Sequence, residues 1–250
     1  MRYLGIGWDA GGWQGNKQAV AVVSWMTGAT SVDWLGVSPA FALSRRLPLS
    51  LNSLLAPALG GNPLPSATRI AWAVDAPLAF PSALRDLVCG LGPVLQQVPD
   101  SELDNPYAYR ASERWLARQY GRKPMSATFD RLGNVATLAM SLLPVWQTAG
   151  YRLLPQQQAD ADLAVLETWP ALMKPARQQA AIAPFAQLLP AEVVPGSDRY
   201  DAALCALVAL ASASQDTCPL LPPLVKPVDS VPAREGWIYH FQPSHLLDIR

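Results

Sequence analysis

Three strand-like runs in this chain each end in an acid: RYLGIGWD at Asp9, RIAWAVD at Asp75 and LAVLE at Glu167. Short runs rich in Val, Ile, Leu and Trp read as β-strands, here over residues 2–8, 69–74 and 163–166. RIAWAV is almost continuously apolar, as a strand covered on both faces would be. If the three strands lie parallel, their acids emerge at one sheet edge, about 5 Å apart between neighbours, where open α/β sheets bind ligands. Carboxylates that close repel. The repulsion raises a pKa or calls for a cation, and a divalent ion is the usual answer at a hard-oxygen site.

The remaining pattern supplies a scaffold for that edge. Residues 18–25 and 32–37 read as second and third strands, joined to the first by short connections and hence antiparallel. Residues 49–59 predict a helix despite Pro57, and GGNPLP breaks the chain before the fourth strand. Residues 81 to about 160 form a mostly helical insertion, after which LAVL returns to the sheet. From residue 170 the chain reads as helical but broken by proline. DRYDAALCALVALAS, residues 198–212, is the best helix and is apolar nearly all round, so it is expected to be buried. Residues 219–250 form a C-terminal extension: a proline-rich tether and a last short strand at 237–241. This order predicts one α/β domain over residues 1–250, with a mixed sheet in the order 3-2-1-4-5 and helices on both faces. The RNase H-like architecture has this order.

Composition narrows the function classes. Half of the 250 residues are hydrophobic and 15% are charged, which excludes a disordered tail or a coiled coil. Lys plus Arg and Asp plus Glu are both 19, so any surface for nucleic acid must be local. Cys89, Cys205 and Cys218 form no CxxC pair, which points away from zinc and disulfides and toward a reducing cytoplasm. The start shows no basic-then-apolar leader, and the longest apolar stretch, AALCALVALASA, is too short to span a bilayer, so no membrane partner is expected. His240 and His245 are the only histidines, so a metal site elsewhere must be built from carboxylates. The sequence fixes no oligomeric state.

Asp198 and Asp201 open the buried helix three residues apart and face the same way on its first turn. With Asp9, Asp75 and Glu167 they make five acids that converge in principle, a set suited to two-metal hydrolysis with Mg2+ or Mn2+. Simpler roles exist for each. Asp9 fits an Asx turn into Gly11, Asp75 fits a turn before Ala76-Pro77, and Asp198 with Asp201 fits an N-cap and N3 pair. Turn and cap chemistry gives no reason for acids at all three strand ends.

GIGWDAGGWQG, AVDAPLAFP, LETWPA and DRYDAALCALVALA, in that order, resemble the domain of unknown function 429 family, described as predicted RNase H-like nucleases. The similarity runs over most of the chain. The last motif also resembles the end of RuvC-like Holliday junction resolvases, where two acids three apart open a helix. The resemblance implies that Asp9, Asp75 and Asp201 bind metal, with Asp198 a further ligand and Glu167 an additional one. The chain departs from the resolvase pattern in having Trp8 before the first acid.

Two more features concern substrate. Arg110, Arg114 and Arg118 recur every four residues, so on a helix they would form one stripe able to contact successive phosphates while an aromatic neighbour stacks on a base. A solvated helix face is the simpler reading of that stripe. Gly11, Gly12, Gly15 and Lys17 form a glycine turn after the first strand, which would wrap phosphates in an actin-like ATPase or sugar kinase. The expectation is therefore a metal-dependent nuclease. The alternatives are an ATP-binding phosphotransferase and a non-catalytic binding protein of the same fold.

Overall fold

A computed structural model describes residues 1–46, 48–92, 97–130, 132–157, 161–174 and 185–242. His245 and residues 175–184 of the proline-broken stretch lie outside the described residues. Seven strands form one mixed sheet: β1 (Arg2–Asp9), β2 (Ala19–Met26), β3 (Asp33–Val37), β4 (Arg69–Asp75), β5 (Arg152–Leu153), β6 (Leu163–Thr168) and β7 (Ile238–Tyr239). The order is β3-β2-β1-β4-β6-β5, with β7 also on β6. β2 runs antiparallel to both β1 and β3, and β1, β4, β6, β5 and β7 are parallel. β4 pairs along β6 on one side, so β5 and β7 share the other side, β5 at Ala164–Val165 and β7 at Glu167–Thr168.

Helices cover both faces. Alternation turns Gly5, Gly7, Ala19, Ala21, Ala71 and Ala73 toward α6 (Asp198–Ala213), whose residues 202–211 are all buried. The small residues let α6 lie almost backbone to backbone on the sheet. A Cβ added at Gly7 would fall 2.0 Å from the carbonyl oxygen of Ala202, and one at Gly5 would fall 2.2 Å from that of Ala206. No other residue type fits those two positions with α6 where it is.

The opposite face carries the large side chains Ile6, Trp8, Val22, Trp72 and Val74. Against them pack α1 (Leu51–Leu59), α4 (Leu132–Ser141) and α5 (Leu143–Thr148), with the Trp146 ring 5.7 Å from Trp72 and 6.1 Å from Trp8. α1 tolerates Pro57 because its start is secured by a reciprocal Ser50–Ser53 capping box and its end by Gly60 in the left-handed region. The insertion also holds α2 (Ser82–Val88) and α3 (Ala111–Tyr120), joined by loops. No described helix is long and apolar enough to cross a membrane.

Candidate active site

Asp9 and Asp75 are direct partners in the parallel β1–β4 ladder, so their carboxylates leave the last residue of each strand side by side. Both share the face of Gly7 and Ala73, which is the face covered by α6. α6 brings the other two aspartates there. Ala202 rests over Gly7, so Asp198, one helical turn earlier, lies beyond the strand end, alongside Asp9. The cap of α6 is Ser197, whose hydroxyl accepts from the Tyr200 N–H, so the N-cap and N3 roles expected for Asp198 and Asp201 are not theirs. They occupy the first and fourth helical positions.

The electrostatics show how closely the acids crowd. Burial, then Asp75, Asp201 and Asp198, push Asp9 from 3.8 up to about 9. Burial, then Asp201 and, more weakly, Glu167 push Asp75 up to about 7. Asp201 is raised as well, chiefly by burial, against the pull of Lys174. The Lys174 ammonium, immediately after the 3-10 turn Pro170–Met173, lies 2.6 Å from the Asp201 carboxylate and favours the charged form of Asp9 and Asp75 too. Beneath the acids, burial raises the Cys205 thiol far above its usual range, and Asp75, Asp9 and Asp201 add to the shift.

Among the described residues no three His, Cys, Asp or Glu side chains stand as a ready ligand group for one ion. Asp201 is turned to Lys174. The donors that remain, Asp9 and Asp75, still fit Mg2+ or Mn2+. They are hard oxygens in register on a rigid pair of strands, and Mg2+ commonly binds through one or two carboxylates plus waters and substrate phosphate.

Glu167 sits apart from this group, although its charge reaches Asp75 and it lines the same cleft. Its ladder partner is Val74, one residue short of Asp75, and that offset turns its side chain to the opposite face of the sheet. There it accepts from the Leu78 N–H at 2.9 Å and takes both terminal nitrogens of Arg110, at 2.7 and 2.5 Å. Arg110 also binds Glu113 at 2.8 Å, and its side chain is 0% exposed. Burial works against its charge, but Glu113 and Glu167 outweigh that and raise its pKa. Glu235 ties the same region together, accepting from the N–H groups of Ser82 and Ala111. This clasp joins β6, α2, α3 and the C-terminal segment.

The basic stripe is thereby corrected. Arg110 is sealed inside, Arg114 donates to the Tyr109 carbonyl oxygen at 2.7 Å, and Arg118 alone is well exposed, paired with Asp104. Arg110 is the N-cap residue of α3, and a four-residue period does not say which end of a stripe is buried. The glycine turn is likewise occupied. The Gly11 N–H donates to Gln18 Oε1, Gln18 Nε2 donates to the Gly12 carbonyl oxygen, and the Trp13 N–H donates to Asn134 on α4. Gly12 has φ +83°, and a Cβ there would strike the Asn134 amide at 2.6 Å. Lys17 is exposed at the rim of this turn. With the Gly11 N–H committed to Gln18 and the Trp13 N–H to Asn134, the turn docks on α4.

Asp9 and Asp75 open into a cleft with Arg110, Glu113 and Glu167 in its lining and Met125, Leu132 and Val135 as apolar wall. Sequence reasoning missed Lys174, Gln18 and Glu235. A lone lysine after prolines has no periodic signal, and each of these residues finds its partner only through the fold. Compared with protein-family models, curated proteins and solved structures, the chain gives no match.

Proposed function

We propose that this chain is a divalent-metal-dependent phosphodiester hydrolase acting on nucleic acid, on an RNase H-like sheet, with the acid pattern of the domain of unknown function 429 family. The observation that carries the reading is the in-register pair Asp9 and Asp75, crowded by Asp198 and Asp201 at the head of α6. Turn and cap roles do not account for it. Ser197 caps the helix, and acids whose pKa values are raised by burial and by one another cost the metal-free protein stability, a cost that a cation would relieve.

Asp9 and Asp75 would hold Mg2+ or Mn2+, with Asp201 and Asp198 reaching in from α6. When bound, such an ion lowers the pKa of water and stabilises charge on the leaving oxygen. The chain supplies the rest. The β1–β4 ladder holds Asp9 and Asp75 in register, which would limit the reorganisation needed when a phosphate arrives. Met125, Leu132 and Val135 give the cleft an apolar wall, which would strengthen the field of the charges within it. Nucleic acid is the substrate class implied by the resemblance. Of the basic stripe, Arg118 remains exposed for backbone contact. The committed glycine turn weighs against the phosphotransferase alternative.

The test is cleavage of labelled single-stranded and branched DNA and RNA with Mn2+ by wild type and Asp9→Asn. Loss of cleavage in a folded variant is expected, by a factor of about 100 or more if the ligand holds an essential charge. Unchanged cleavage in Asp9→Asn would refute the assignment.

A further inference from the structure

Lys174 reaches the acids from outside both the strands and α6. The chain leaves β6 at Thr168, and the 3-10 turn Pro170–Met173 brings it over to the α6 side, where Met173 is fully buried in the helix-side core. Pro170 and Leu172 are buried too, and Arg122 donates to the Ala171 carbonyl oxygen at 2.5 Å. A turn anchored on this many sides presents the next residue in a set direction. Lys174 Nζ lies 2.6 Å from Asp201, with side-chain exposures of 31% and 20%. Its contact is with Asp201, and its charge also favours the ionised forms of Asp9 and Asp75.

From this placement we infer that Lys174 is a built-in counter-cation that competes with the divalent ion for Asp201 and so sets the metal affinity of the cluster. The inference rests on the proposed metal-dependent reading. With Asp9 raised to about 9 and Asp75 to about 7, protons and the one ammonium together relieve the crowding in the metal-free protein, and a divalent ion would take over that role. An ion seated between Asp9 and Asp75 gains Asp201 as a ligand only when the ammonium lets go, and until then it is repelled by that ammonium. Lys174 thus weakens metal binding while steadying the metal-free protein.

The experiment titrates Mn2+ into full-length protein and follows free Mn2+ by electron paramagnetic resonance, for wild type, Lys174→Met, Lys174→Arg, Asp9→Asn and the Asp9→Asn, Lys174→Met double variant. Methionine keeps much of the apolar stem and removes the charge; arginine keeps the charge. Lys174→Met should bind Mn2+ about tenfold more tightly, with a lower metal-free melting temperature, because the repulsion and the competing pair are both gone. Lys174→Arg should stay within about threefold of wild type, since an exposed-side ion pair is preserved. Equal or weaker binding by Lys174→Met, with wild-type binding present and lost in Asp9→Asn, overturns the inference and leaves the metal reading standing. Absence of Asp9-dependent binding in wild type and Lys174→Met alike overturns both. Binding that appears only in Lys174→Met and disappears in the double variant supports the inference in its strongest form.

Discussion

Asp9 and Asp75 repel across two hydrogen-bonded strands, and Asp9→Asn removes that repulsion while keeping the shape of the side chain. The variant should melt higher than wild type without metal and should lose the Mg2+-induced rise in melting temperature; a lower metal-free melting point would show that the charge is stabilising as it stands. The pH dependence follows from the same groups. Both carboxylates lie above their unfolded value of 3.8, so the stability they contribute is complete below that pH and is lost as pH rises through about 7 and about 9. His240 acts in the other direction. Buried between the Ile238 carbonyl oxygen and the Tyr120 hydroxyl, it is lowered from 6.5 to about 4, so its contribution is present above 6.5 and lost as pH falls through about 4. Metal-free melts should therefore decline as pH rises from about 4 to about 9, with both carboxylates contributing up to about 7 and Asp9 alone beyond that. His240 should offset part of the decline below 6.5, and saturating Mg2+ should flatten it. At this scale the sequence was informative for Asp9 and Asp75, because an apolar run ending in an acid is visible in one dimension. Glu167 shows the same pattern and faces the other way, because a ladder offset of one residue cannot be read from either strand alone.

Between elements, two contacts carry the site. α6 touches β1 through Gly5 and Gly7, and Gly7→Ala would place a methyl 2.0 Å from the Ala202 carbonyl oxygen. The helix must then lift, and with it Asp198 and Asp201. Gly7→Ala is expected to destabilise by about 1–3 kcal/mol through overpacking and to weaken Mn2+ binding even in the molecules that stay folded. Urea melts and the Mn2+ titration together check this. The second contact is the Arg110 clasp. Arg110→Met would leave Glu113 and Glu167 buried and unpaired, a loss of about 3–5 kcal/mol, measurable by urea unfolding. Arg110→Lys should recover little of it, since lysine lacks the planar fork that serves both carboxylates. The longer strands and α6 were legible from hydrophobic period and caps. The last short strand expected at 237–241 is β7, whereas β5 was not marked out, because two residues cannot display an alternation and only β6 gives them an edge to join.

Across the whole molecule the cleft is assembled from distant parts of the chain: β1, β4, β6, the insertion and the segment around Ile238 all contribute to its lining, and α6 supplies the flanking acids. Because Asp198 and Asp201 open α6, disturbing the acid cluster is expected to act first on that helix, and the cysteines offer a readout of it. Cys89 is exposed, whereas Cys205 lies under the acids and Cys218 is buried past the end of α6. A disulfide-exchange reagent should titrate one thiol in the native protein and three in denaturant. Reaction at Cys205 ahead of Cys218, mapped by mass spectrometry, would time the lifting of α6 from the sheet separately from global unfolding. Saturating metal should slow labelling of Cys205, turning a sulfur atom outside the proposed chemistry into a chemical clock for the closure of the site.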